Sequence, residues 1–332
     1  MIGWTVVSLS LLGCQEYNLG EPPPNFEGPN PPGLENPVVQ DRIVQVPIPS
    51  VDVLWIIDNS GSMLQEQKDL RENFPAFMEY FLGSGLDYHI GVVSTDMDAN
   101  NESGKLVAAS NGERYITTDS EDPMGMFESM ADLGILGSSD ERGREAAYTA
   151  LELEADATNA GFLRDDRSSG IHMTVVTDEP DLSRNSRITK EEFAEWANGL
   201  RPSDPLVTFN SICLPPDVFY YGGDDYVYLS LEVGGIMHDV RVDDWVNVLE
   251  ALGIQAAGLH REYFLSQLPV EGTVEVKVVT VDGTTIPFDE GAWTYSSSRN
   301  SITFDEFLPD PLSTVVIDYT ALSSMIGVSD AE

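Results

Sequence analysis

Val53-Leu54-Trp55-Ile56-Ile57 runs directly into Asp58-Asn59-Ser60-Gly61-Ser62, and the junction of these two pentapeptides sets how the rest of the chain is read. Five consecutive apolar residues suit a strand covered on both faces, as in a parallel sheet. The polar loop after it contains Gly61, which permits a tight turn between the two serines. A helical pattern follows, with Leu70, Phe74, Phe77, Met78 and Phe81 on one face and Pro75 inside it, where a kink is expected. In open α/β sheets, ligands sit beyond the carboxyl ends of the strands. The loop is therefore a candidate site on position alone. Its chemistry agrees: Asp58 offers a carboxylate and Ser60 and Ser62 offer hydroxyls, a hard-oxygen set suited to Mg2+, with Mn2+ or Ca2+ as the other oxygen-seeking ions.

Outward from this loop, buried-strand patterns recur at His89-Ile90-Gly91-Val92-Val93, Ile171 to Thr177 and Val207 to Cys213. Lys105 to Ala108 and Arg114 to Thr117 suggest a hairpin-like excursion. Helices are expected over Glu141–Glu154, after the capping box Thr189-Lys190-Glu191-Glu192, and after a cap at Asp243 through Trp245, Val248, Leu249 and Leu252. Strands alternating with helices predict an α/β class protein with a doubly wound, mostly parallel sheet. Beyond about Glu262 the period becomes two: Val274, Val276 and Val278 alternate with Glu275 and Lys277, and Asp282-Gly283 supplies a hairpin turn. A small antiparallel β-domain is expected there. The predicted layout is 1–13 signal segment, 14–48 Pro-rich stalk, 49–262 α/β domain and 263–332 β-domain.

The D-x-S-x-S loop in this context resembles the metal-ion-dependent adhesion site of von Willebrand factor type A domains, over roughly Pro49 to Leu259. The resemblance implies that Ser60 and Ser62 bind the ion directly, and Asp58 directly or through water. It also implies a second carboxylate after the fourth sheet strand, which Val175-Val176-Thr177-Asp178 supplies as Asp178. The family takes a further hydroxyl, usually threonine, from a loop opening an intervening helix. Here that loop reads Gly137-Ser138-Ser139-Asp140-Glu141, so Ser139 or Ser138 is the expected substitute, although Ser138 with Glu141 also fits a capping box. The implied activity is ligation without turnover: an acidic side chain of a protein partner completes the ion's shell.

A second run, Asp96-Met97-Asp98-Ala99-Asn100-Asn101-Glu102, places oxygens at alternate positions like the start of a calcium loop. It lacks the sixth-position glycine and the closing glutamate. A solvated hairpin loop is the expectation, with a second metal loop at Asp96, Asp98 and Asn100 as its alternative.

Lys and Arg number 17 against 56 Asp and Glu, for a formal net charge of -39. Such a polyanion repels phosphate backbones, which argues against a nucleic-acid partner. Of the two cysteines, Cys14 closes an apolar segment ending Leu12-Gly13-Cys14. That segment resembles the lipobox of bacterial lipoproteins, and the resemblance implies cleavage before Cys14 and a lipid anchor on its thiol. No Lys or Arg precedes the apolar run, which departs from the usual secretory pattern. The stretch Gln15 to Pro49, with Pro22-Pro23-Pro24, Pro29, Pro31-Pro32 and Pro37, reads as a stalk. Gln15 stands where the lipoprotein family's inner-membrane retention signal places aspartate, so an outer-membrane location is expected. Cys213 lies in an apolar strand pattern and reads as an inert core thiol.

The alternative readings are an envelope assembly protein whose metal only stabilises the fold, and a hydrolase. His89, His172, His238 and His260 show no metal-ligand spacing, and neither a nucleophile elbow nor a phosphate-binding loop occurs. An enzyme is not expected.

Overall fold

Strand β2 (Ser50–Ile57) is buried at every position, as a run covered on both faces must be. The computed structural model, which describes residues 36–82, 85–98, 103–201, 206–216, 224–305 and 307–322, places β2 within a six-stranded sheet. Its companions are β3 (Asp87–Ser94), β4 (Ile116–Thr117), β5 (Gly170–Val176), β6 (Val207–Cys213) and β7 (Met237–Asp239), in the order β4-β3-β2-β5-β6-β7. All pairings are parallel except that of β4 with β3. Helices α1 (Leu64–Met78), α2 (Pro123–Ala131) and α6 (Trp245–Ala256) cover one face. The other is covered by α3 (Gly143–Tyr148), continued by a π-turn over Thr149–Leu153, and by α4 (Lys190–Gly199) and α5 (Asp224–Val233). The expected α/β architecture is present.

Alternation along β2 sends Val53, Trp55 and Ile57 into the first core and Leu54 and Ile56 into the second. Leu70, Phe74, Phe77 and Met78 form the buried face of α1, and the Trp55 ring meets Phe74, Phe77 and Phe127 edge-on at 5.3–6.4 Å. Pro75 falls in the last turn of α1, where it supplies no N–H to the helical ladder. The Thr189–Glu192 capping box opens α4 with both of its bonds formed. At α6 the cap is Asp244, not Asp243, and its carboxylate accepts the Asn247 N–H at 3.2 Å.

The β-domain has two sheets. One has the order β1-β13-β9-β10 and the other β11-β12-β8, with β1 at Val38–Val44, β8 at Glu262–Phe264, β9 at Glu275–Val279, β10 at Thr285–Phe288, β11 at Trp293–Ser296, β12 at Ser301–Phe304 and β13 at Thr314–Thr320. Between them lies a separate core that includes Val276, Val278, Ile302, Phe304 and Ile317. The β9–β10 turn carries Gly283 at φ 87°, as the Asp-Gly signal requires.

Strand β1 corrects the expected stalk. Val38–Val44 pairs antiparallel with β13 along its whole length, inside the span assigned to a linker. Val39 and Ile43 pack on the β-domain core while Val38, Gln40, Arg42 and Val44 face outward. This period-two pattern is short and flanked by Pro37 and Pro47, which hides it among proline-rich sequence. The α/β domain is thus inserted between the first strand of the β-domain and the rest. Gln45, buried at the crossing, donates to the carbonyl of His260 at 2.9 Å, and its own carbonyl accepts the Leu312 N–H at 2.7 Å. Cys14 and the proline-rich span up to residue 35 lie outside the described residues. Among the described residues no helix is long and apolar enough to cross a membrane.

His172 of β5 is buried on the first face of the sheet, the side that Val53 and Val176 share, its Nδ1 2.6 Å from Thr208 Oγ1. It is a satisfied core side chain. Burial presses its pKa down to about 4. The unfolded chain therefore takes up a proton near pH 6.5 that the folded chain refuses until about pH 4, so stability falls with pH across that window. The loss from this one group is about 3 kcal/mol. Urea melts between pH 7 and pH 4 should show a shallower decline for His172→Gln than for wild type; equal slopes would overturn the assignment.

Candidate metal centre

Beyond the last paired residues of β2, β3 and β5 the sheet continues for one more step. The Asp58 N–H donates to Val176 O at 3.0 Å, the Thr95 N–H to Ile57 O at 3.1 Å and the Thr177 N–H to Ile212 O at 3.1 Å. Asp58, Thr95 and Thr177 therefore stand level at one rim. Asp58 is fully buried; its Oδ1 accepts the Ser60 N–H at 2.7 Å and its Oδ2 accepts Thr177 Oγ1–H at 2.5 Å. Ser60 Oγ lies 3.2 Å from Ser62 Oγ, and Ser62 Oγ–H donates to Asp178 Oδ1 at 2.9 Å. Four of the five residues singled out in the sequence, Asp58, Ser60, Ser62 and Asp178, are thus joined in one hydrogen-bonded chain. Buried Gln67 of α1 clamps the loop from behind, donating to the carbonyls of Asp58 and Gly134 at 2.8 and 2.9 Å. Gly61 has an ordinary φ and open space where a Cβ would stand, so the turn does not depend on glycine there.

The third loop differs from expectation. The Gly137 N–H donates to Asn59 O at 3.0 Å, and a Cβ at Gly137 would lie 2.1 Å from Asn59 Oδ1, so this close approach does need glycine. Ser138 Oγ accepts the Asp140 N–H at 3.0 Å, a local turn bond. Ser139 is exposed and makes no hydrogen bond to the chain of oxygens. The structure brings in Glu141 instead. Its side chain is fully buried, Oε2 accepts from Thr95 Oγ1, and Oε1 is buried without a hydrogen-bond partner.

Charge at this rim is one-sided. Burial raises the Asp58 carboxyl, against the bonds from Thr177 and Ser60. Burial and then the charge of Asp58 push Glu141 up to about 8. Glu66 and Glu179 are also raised by burial, with Asp178 adding to both. Among the described residues, no Lys or Arg forms an ion pair with Asp58, Glu66, Glu141, Asp178 or Glu179. A dication would relieve that repulsion. No group of three or more His, Cys, Asp or Glu side chains among the described residues is arranged to hold a metal by itself. The donors here are two carboxylates with hydroxyls between them. Such a set fits Mg2+, which takes few protein ligands and keeps its waters.

The Asp96–Asp98 run is committed elsewhere. Asp96 Oδ1 accepts the Asp98 N–H at 2.8 Å and Oδ2 accepts the Ser138 N–H at 3.0 Å, while Asp98 lies 3.0 Å from Arg142 Nη2 and 3.8 Å from Arg184 Nη2. These carboxylates anchor backbone and guanidinium groups; Asn100, the third residue of the alternative metal loop, lies outside the described residues.

The loop bearing Asp178 is tied down by partners that the sequence reading missed. The Leu182 N–H donates to Glu141 O at 2.7 Å, joining it to the third loop. Buried Arg144 lies 3.4 Å from buried Asp181 and donates to Ser183 O at 3.0 Å. Tyr226 of α5 accepts the Gly143 N–H at 3.0 Å and donates to Asp181 Oδ1 at 3.2 Å.

No family model matches the sequence, and no curated protein matches it. Solved structures do. A von Willebrand factor type A protein from Catenulispora acidiphila is 11% identical, with a TM-score of 0.42, over 86% of this chain and 66% of that one. The pilus adhesin SpaC from Lactobacillus rhamnosus GG, in its open conformation, is 11% identical with a TM-score of 0.42, over 88% and 42%. A second form of SpaC is 12% identical with a TM-score of 0.40, over 85% and 41%. The chain spans just under two thirds of the first protein and about two fifths of the adhesin.

Proposed function

We propose that this rim is a metal-ion-dependent adhesion site of the von Willebrand factor type A kind, and that the chain binds a partner protein through it. Asp58, Ser60, Ser62 and Asp178 would hold Mg2+, with Mn2+ or Ca2+ as substitutes. The bound ion would supply a positive centre able to accept an acidic side chain from the partner. The reading is carried by one observation: carboxylate and hydroxyl oxygens from two loops meet at the carboxyl rim of a parallel sheet, with no cationic side chain among the described residues paired to them. The chain's own residues do the positioning. Thr177 orients the buried Asp58 carboxylate, Gln67 fixes the loop backbone, and Ser62 links the two carboxylate loops. Binding, not turnover, is the chemistry this set supports.

Anchoring by lipid at Cys14, on the outer membrane of a bacterium, belongs to the same proposal and rests on the Leu12-Gly13-Cys14 sequence. The test is calorimetric titration of the chain with Mg2+, followed by capture from envelope extract in Mg2+ and in EDTA. A protein retained only with Mg2+, and eluted by chelator, is the expected result. Capture that is indifferent to EDTA would overturn adhesion through the ion. Melting that responds to Mg2+ with no Mg2+-dependent capture would favour an assembly protein whose ion serves stability alone.

A further inference from the structure

Where the resemblance asks the third loop for a hydroxyl, this chain presents a buried carboxylate. Glu141 is pinned by its surroundings. Its backbone bridges to Asp96, its carbonyl accepts the Leu182 N–H at 2.7 Å, and the next N–H, of Arg142, donates to Thr95 O at 3.0 Å. Its Oε2 is held by Thr95, whose own N–H is bonded to Ile57, the residue before Asp58. The side chain is therefore fixed at the same rim as Asp58. Its other oxygen, Oε1, is buried from water and without a partner.

A buried carboxylate oxygen with nothing to accept from is destabilising, and in a folded protein it calls for an ion or an ordered water. Among the described residues, no Lys or Arg side chain is paired with Glu141 to answer that need. Mg2+ retains several waters when few protein ligands reach it, and each is a strong donor. We propose that Glu141 is the third loop's contribution to the cation site, its partnerless oxygen accepting a hydrogen bond from a water of the ion's shell. This rests on the adhesion-site reading above. Glu141 is then a positioning residue: Thr95 orients it, and it orients the water. The exposed Ser139 has no part in it.

Removing such an outer-shell carboxylate weakens metal binding by about 10–100-fold. The experiment is calorimetric titration of the full chain with Mg2+ for wild type, Glu141→Gln and Asp58→Ala, with melting curves of each in EDTA and in Mg2+. Glutamine keeps the size of the side chain and the bond from Thr95. Glu141→Gln should bind Mg2+ about 10–100-fold more weakly, with a metal-free melting temperature equal to or above that of wild type and a smaller rise on adding Mg2+. A merely structural Glu141 would lower the metal-free melting temperature and leave the affinity alone, and that pattern overturns the inference. Should Glu141→Gln match wild type in affinity while Asp58→Ala binds nothing, the role of Glu141 fails and the adhesion site stands. If Asp58→Ala binds Mg2+ as wild type does, the adhesion site itself fails. Should Glu141→Gln not fold, Thr95→Val provides the second variant; it leaves the carboxylate in place but unoriented. Weakened Mg2+ binding is expected there, and unchanged affinity would overturn the inference.

Discussion

Asp58→Ala is expected to abolish Mg2+ binding, by more than about 100-fold, in a protein that still folds, since it removes the buried carboxylate at the centre of the proposed ligand set, where the loss should exceed the usual effect of a peripheral one. The two halves of this result have separate causes. Asp58 is the buried member of the donor chain, collecting the Ser60 N–H and the Thr177 hydroxyl so that the ends of the β2 and β5 loops face one another. No other carboxylate of the proposed ligand set comes from the β2 loop. The fold survives because the contacts that shape the loop use backbone: Gln67 bonds the Asp58 carbonyl, and the Asp58 N–H bonds Val176, neither of which alanine removes. Burial already holds the Asp58 carboxyl above its ordinary range, so the native state gives up an unfavourable charge when the side chain goes. Against that stand two lost hydrogen bonds, from the Ser60 N–H and the Thr177 hydroxyl, on the order of 1 kcal/mol each. Calorimetry and melting in EDTA decide both halves. Wild-type Mg2+ heats from Asp58→Ala would remove the ion from the site. A chain that fails to melt cooperatively would mean Asp58 is structural. Asp58→Asn should bind as poorly as alanine, because shape without charge does not hold a dication.

The donor chain was legible before the structure because parallel strands carry their own address. Val53–Ile57 is a continuous apolar run and Ile171–Val176 a mostly apolar one, each followed at once by a polar residue. Register places Ile57 opposite Val176, so Asp58 and Asp178 had to emerge at the same rim. Glu141 was not legible for the opposite reason. Its spacing from Ser138 fits a capping box, a local pattern that satisfied the reading without long-range contacts, whereas its real partner, Thr95, lies 46 residues away. The partners of the acidic run at Asp96 were hidden in the same manner. Alternating oxygens are a fair calcium signal, but Arg142 and Arg184 come from distant positions to meet Asp98, and nothing local announces them. Strand β1 was lost to composition: two inward residues, Val39 and Ile43, carry too little signal beside flanking prolines, and its partner β13 lies at the other end of the chain. What remained illegible was the pairing of polar side chains across sequence-distant loops, since charge and hydroxyl patterns have no period of their own.

The second large effect concerns one such pairing. Arg144→Met is expected to destabilise the α/β domain by about 3–5 kcal/mol, because it strands a buried carboxylate. The Arg144 side chain is 1% exposed and that of Asp181 is 0% exposed, so neither has water to fall back on. Arg144 also reaches Asp225 at 3.3 Å and Asn185 at 3.2 Å, drawing the Asp178–Asn185 loop onto α3. Despite Arg144, the Asp181 carboxyl lies above its ordinary range: desolvation outweighs the attraction of the guanidinium. The pair is therefore no net gain over an apolar pair of the same shape, yet half of it is worse than none. That asymmetry yields the check. Arg144→Met with Asp181→Leu should recover most of the loss, a coupling that two independent sites would not show. Urea melts in EDTA of the two single variants and the double variant measure it. A loss below about 1 kcal/mol for Arg144→Met, or a double variant no more stable than the worse single one, would mean that the loop is held by its backbone bonds alone. Mg2+ affinity of Arg144→Met should fall alongside stability, since the loop it releases carries Asp178, and that carboxylate must stay within reach of Ser62 for two loops to share one ion.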